Sequence, residues 1–116
     1  MPSRTTLLGL VKHLTFVENV WFNEVITGTT RDELGPATPD ASFVLTKHDT
    51  IASVVENHRL TNEASQRRAA ALHLDQILID RSGNPLTVRF LFLQCLREYA
   101  HHTGHADILR QLILSE

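Results

Sequence analysis

The chain has 116 residues, of which 42 % are apolar and 21 % charged, with a formal net charge of −2. These values fit a single globular domain over residues 1–116 and exclude an intrinsically disordered chain. No Lys/Arg run offers the charge that a row of phosphates needs, and no apolar stretch approaches a membrane span, so neither nucleic acid nor a bilayer is an expected partner.

The opening segment MPSRTTLLGLVKHL lacks the charged start, apolar run and small-residue cleavage site of a signal peptide. From about residue 5 to 26, Leu7, Leu10, Val11, Leu14, Val17, Val20, Trp21 and Val25 recur at three- and four-residue steps, which predicts an amphipathic helix. Gly28 supplies its stop. Residues 27–48 read as a long connection with turns at Gly35-Pro36 and Thr38-Pro39-Asp40. Within it, Ser42-Phe43-Val44-Leu45 is expected to form a short extended piece that packs Phe43 back on the body. A connection of this length is uncommon unless it crosses a bundle or covers a site.

A second helix is expected from Asp49 or Thr50, with Ile51, Val54, Val55, His58, Asn62, Ser65, Ala69, Leu72 and Gln76 on one face. The middle of that face is polar. Ile77-Leu78-Ile79 leads into a turn at residues 80–85. A third helix runs from about residue 87 to 114, capped by Thr87, with Leu91, Cys95, Leu109, Leu112 and Ile113 as its apolar seam. Gly104 inside it points to close approach of another backbone or a ligand. Three amphipathic helices and a crossover predict an all-α helix bundle with three main helices per chain. The single cysteine, Cys95, cannot form an internal disulfide and suits a reducing cytoplasm.

Seven histidines are the compositional oddity. On a wheel of about 100° per residue, with Glu98 at zero, His102 falls near +40°, His105 near −20° and His101 near −60°. Leu91 and Leu109 fall near +20°, within the same arc. A carboxylate and three imidazoles therefore project from the stripe that faces the core, a costly arrangement unless they are paired or bind a metal. The spacings of Glu98–His102, His101–His105 and His102–His105 all permit two ligands on one helix face. A third ligand must come from elsewhere, and His13, on the apolar stripe of the first helix between Leu10 and Val17, can face them. Three protein ligands with open positions characterise a catalytic metal site. His/Glu ligation suits zinc, nickel, iron or manganese without selecting among them. The plainer alternatives are a core role for His13, a surface role for His101-His102, a salt bridge of Glu98 in the neighbourhood of Arg97 or with Lys12, and a packing role for Cys95. His58 is a further residue within reach, and His73 is expected to face solvent.

The segment Thr6-Leu7-Leu8-Gly9-Leu10-Val11-Lys12-His13-Leu14, followed by Val17-Glu18 and Trp21-Phe22, resembles the second helix of the mini-circle protein family of the DinB-like superfamily. Glu98-Tyr99-Ala100 and His102-Thr103-Gly104-His105-Ala106-Asp107-Ile108-Leu109-Arg110 resemble its last helix. The resemblance implies a four-helix bundle of up-down-down-up type, and a metal held by His13, Glu98 and His102, with His105 as a further ligand or a supporting group. It also implies that the family's first helix is missing from this chain, so that a homodimer, formed by exchange of helices, covers the groove. The activities it implies use a divalent metal and a low-molecular-weight thiol such as mycothiol, or a water, for transfer to or hydrolysis of a small molecule. A non-enzymatic, dimerising helical module with a vestigial or structural site is the competing expectation.

Overall fold

The structure, a computed structural model, describes residues 6–115. Thr6 is extended and its hydroxyl accepts the Gly9 amide at 2.9 Å, which caps α1 (Leu7–Glu18) and satisfies one of the amides every helix start leaves unpaired. The helix continues through a π-helical turn (Asn19–Glu24) and a last α turn, α2 (Val25–Thr27). It stops at Gly28, whose φ of 77° is the left-handed conformation that glycine adopts without a Cβ penalty. The expected end of the first helix is thus met, while the expected start at Thr5 lies outside the described residues.

The connection that follows is more helical than its turn residues imply. It holds α3 (Arg31–Leu34) and α4 (Pro39–Phe43). Thr38 accepts the Ala41 amide at 3.2 Å and Pro39 occupies the first turn. The Thr-Pro-Asp run is therefore a helix start, for which proline's fixed φ is suited. Of the piece expected to be extended, Ser42 and Phe43 are helical, and the chain becomes extended at Val44. Phe43 does pack back on the body, with its ring stacked on His13.

Thr50 and Ser53 form a reciprocal capping box, at 3.0 and 2.9 Å, that opens α5 (Ile51–Ala70). Val54 and Ser65 are its buried residues, whereas Ile51 and Val55 are exposed. Leu72 and Gln76 lie beyond its end. The turn at residues 80–85 closes a small antiparallel hairpin of β1 (Ile77–Ile79) and β2 (Pro85–Thr87), with Ile77 opposite Thr87. Asp80 accepts the Ser82 and Asn84 amides at 2.9 and 2.8 Å to shape that turn. Thr87 accepts the Phe90 amide at 3.1 Å and so caps α6 (Val88–Ser115) as expected.

The result is a helix bundle in which α1 is central, packed against α4, α5 and α6. Leu10, Phe16, Val17, Val54, Val88, Leu91 and Cys95 are buried there. Because the first helical run is covered on several sides, polar residues of α1 and of the π-helical turn are buried as well, and Glu18, Asn23 and Glu24 each find a partner. Glu18 accepts the Tyr99 hydroxyl at 2.6 Å and the Asn62 amide at 3.2 Å, tying α1 to α6 and α5. Asn23 donates to Asn19 at 2.7 Å and accepts from Arg68. Arg31 grips Glu24 with two parallel bonds, at 2.9 and 3.0 Å. The predicted seam of α6 is buried at Leu91 and Cys95, half-buried at Leu109 and lost beyond it. Its 28 residues rise about 42 Å, roughly 12 Å more than α5, and Leu112 and Ile113 near its end are exposed.

Candidate metal centre

The cap at Thr6 sets the start of α1, and two turns on it places His13 on the buried side, 6 % exposed. One helical turn of α6 places Glu98 and His102 on one face, with Glu98 Oε2 3.3 Å from His102 Nε2. The candidate ligand atoms of His13, Glu98 and His102 all lie within 4.8 Å of one another. Ligands about 2.1 Å from one zinc ion in a tetrahedral array stand roughly 3.4 Å apart. The Glu98–His102 pair already meets that spacing, and the widest separation exceeds it by no more than about 1.4 Å, a distance that side-chain rotation spans.

The electrostatics prepare the imidazoles as lone-pair donors. Burial, reinforced by repulsion from His102 and His101, lowers the pKa of His13 from 6.5 to about 4. Burial likewise lowers His102, against the opposing pull of Glu98. Both rings are therefore neutral near pH 7, the form that binds metal. His102 Nδ1 is buried and has no hydrogen-bond partner among the described residues. An unsatisfied buried nitrogen costs about 1–3 kcal/mol. It also marks the cluster as something other than a closed hydrogen-bond network. By donor type, spacing and protonation, the three residues fit a divalent cation.

The remaining candidates are placed differently. His105 is half-buried one turn beyond His102 and stands outside the three-residue cluster. His101 is exposed, with its ring 4.9 Å from that of His102. His58 belongs to another network, bonded to Tyr99 at 2.7 Å and 3.5 Å from Glu18. Lys12 pairs with Asp49 at 2.7 Å, so it is not the partner of Glu98. His73 is exposed, as expected. A Cβ on Gly104 would meet nothing within 4 Å, so the close approach expected there is absent among the described residues.

The sequence placed Phe43 against the body but tied neither Ser42 nor Phe43 to His13. Ser42, wholly buried, lies 2.7 Å from His13 Nδ1. The Phe43 ring lies 3.9 Å from the His13 ring at an angle of 12°.

Two concavities bear on the site, and only the first is lined by residues of the cluster. One, of about 250 Å³, is bordered by His13 and Glu98 and by Phe16, Val20 and Trp21 of the first helical run. The other is an apolar groove of about 430 Å³ between α5 and α6, lined by Phe22, Phe92, Leu93, Leu96 and Cys95 with Glu18 and Tyr99. Burial, with the nearby Glu18 and Glu98 carboxylates, pushes the Cys95 thiol up to about 12. Cys95 is therefore a packed, protonated side chain at neutral pH.

No helix among the described residues is long and apolar enough to cross a membrane. Comparison with curated proteins and with solved structures gives no match. Residues 1–114 match the mycothiol-S-transferase family, which lies within the DinB-like superfamily; the match does not carry the narrower mini-circle assignment. With a bundle that brings His13 against the Glu98–His102 turn, and a match over nearly the whole sequence, the chain belongs to the mycothiol-S-transferase family.

Proposed function

We propose that the protein is a metal-dependent transferase that joins the sulfur of mycothiol, or a closely related low-molecular-weight thiol, to a small electrophile. The observation that carries this reading is the convergence of His13, Glu98 and His102 from two helices in a chain of the mycothiol-S-transferase family. A divalent ion held there would supply a Lewis acid that lowers the pKa of a thiol into the neutral range.

The chain's own residues define the rest. Cys95, buried and protonated, is unsuited as the nucleophile, so the sulfur comes from a co-substrate. The open concavity beside His13 and Glu98, walled by Phe16, Val20 and Trp21 with Arg31 at its border, offers an apolar surface on which a small electrophile could rest. In the transfer the thiol sulfur forms a carbon–sulfur bond while the leaving group departs with the electrons of the bond it breaks. The thiol proton is lost to solvent, which reaches the cluster on the side of Glu98, the most exposed of the three residues.

The reading includes a homodimer. Leu93 and Leu96, 58 and 68 % exposed on the groove, form the kind of apolar patch that a second copy covers. His105 is retained as a supporting group one turn from His102.

The test is elemental analysis of wild type beside His13→Ala and His102→Ala, followed by a conjugation assay with mycothiol and an aryl halide. About one metal per chain in the wild type, lost in both variants together with conjugation, supports the reading. A wild type that takes up neither zinc, nickel, iron nor manganese overturns it in favour of a non-enzymatic helical module.

A further inference from the structure

Ser42 lies on α4, the short helix that the capping of Thr38 and the ring of Pro39 create inside the long connection. Its Oγ is 2.5 Å from the Pro39 carbonyl oxygen and 2.7 Å from His13 Nδ1. Two oxygens at 2.5 Å require a proton between them, and a carbonyl has none to give. The Ser42 hydroxyl therefore donates to Pro39, and what remains to His13 is an oxygen lone pair. His13 Nδ1 must then carry its proton and donate it, and a neutral ring so fixed has its lone pair on Nε2.

The next residue completes the hold. Phe43 stacks flat on the His13 ring, so that successive residues of α4 restrain the imidazole at its edge and on its face. The approach depends on Gly9: a Cβ there would stand 2.6 Å from the Phe43 carbonyl oxygen. The sequence Thr38-Pro39-Asp40-Ala41-Ser42-Phe43 is thus a strap that docks on α1 over a glycine and ends on the histidine.

We propose that Ser42 is the positioning residue of His13, holding it as the Nδ1–H tautomer so that Nε2 is the atom offered to a metal ion. This rests on the reading of His13 as a ligand. The outer partner of a ligating histidine typically changes metal affinity by about ten- to a hundredfold.

The experiment is long-range proton–nitrogen correlation NMR on histidine-labelled, metal-free full-length protein, paired with zinc titration against a competing chelator. In the wild type, His13 Nδ1 is expected to show the shift of a protonated nitrogen and Nε2 that of an unprotonated one. In Ser42→Ala that preference is lost, and zinc binds about tenfold or more weakly while the helical circular dichroism is retained. A wild-type His13 protonated on Nε2 overturns the proposal without need of any variant. So does a folded Ser42→Ala with unchanged nitrogen shifts and zinc affinity. Wild type that binds no zinc overturns the ligand reading beneath it. The shifts, read without metal, tell these failures apart.

Discussion

The carboxylate of Glu18 accepts the hydroxyl of Tyr99 at 2.6 Å across 81 positions of sequence, and His58 and Asn62 of α5 meet the same pair. One buried carboxylate thus joins the three long helical runs. A charge so placed costs stability unless its lone pairs are satisfied, and removing one donor costs more than the bond's net contribution to folding.

Tyr99→Phe keeps the ring and removes that donor. The expected loss is about 1.5–3 kcal/mol, read as a lower urea midpoint with an unchanged slope. Metal content should stay at the wild-type level, because neither residue belongs to the His13–Glu98–His102 cluster. A variant as stable as wild type would show that Glu18 and Tyr99 do not hold the bundle together.

Gly9→Ala tests how closely α4 sits on α1. Alanine favours a helix over glycine by up to about 1 kcal/mol, but its Cβ would stand 2.6 Å from a backbone oxygen, which cannot rotate aside. Overpacking of this kind costs about 1–3 kcal/mol, so the clash outweighs the propensity. A net loss of about 1–2 kcal/mol is expected by urea denaturation, and a gain would mean that α4 yields without cost.

The lowered pKa values of the two histidines make a prediction in acid. An unfolded chain protonates His13 near 6.5, whereas the folded chain resists until about 4; His102 is lowered in the same direction. Between those values the unfolded state binds more protons, so stability falls as the pH drops through that window and levels off below it. For His13 alone the loss is roughly 3 kcal/mol. Urea midpoints of metal-free protein at pH 7, 5.5 and 4.5 should fall in that order, and His13→Gln should flatten the series. A midpoint constant from pH 7 to 4.5 would contradict the buried, neutral state of these rings.

Leu96→Lys addresses the proposed dimer. Leu96 is 68 % exposed, so within a monomer the change should move stability by no more than about 0.5 kcal/mol. In a dimer that buries it, an unpaired ammonium would be desolvated and association lost. Light scattering should therefore show a dimer for wild type and a monomer for the variant. Equal masses for the two would remove this face from the interface.

How much of this was legible in the sequence follows from what each signal depends on. The first helix, its glycine stop, the Thr50 and Thr87 caps and the turn at Asp80 are local events, fixed by residues a few positions apart. The Glu98–His102 pair is likewise local, because helical periodicity alone puts residues four apart on one face. The last turns of α6 have the same apolar spacing as its first, yet Leu112 and Ile113 are exposed, because periodicity states which face could be buried and not whether a neighbour reaches it. Only tertiary structure decided that His58 serves Glu18 and Tyr99 rather than the metal cluster, that Lys12 goes to Asp49, and that Ser42 and Phe43 close on His13 from 29 and 30 positions away. Those pairings depend on how a connecting segment packs across the central helix, and in such a segment no periodicity records which side chain meets which.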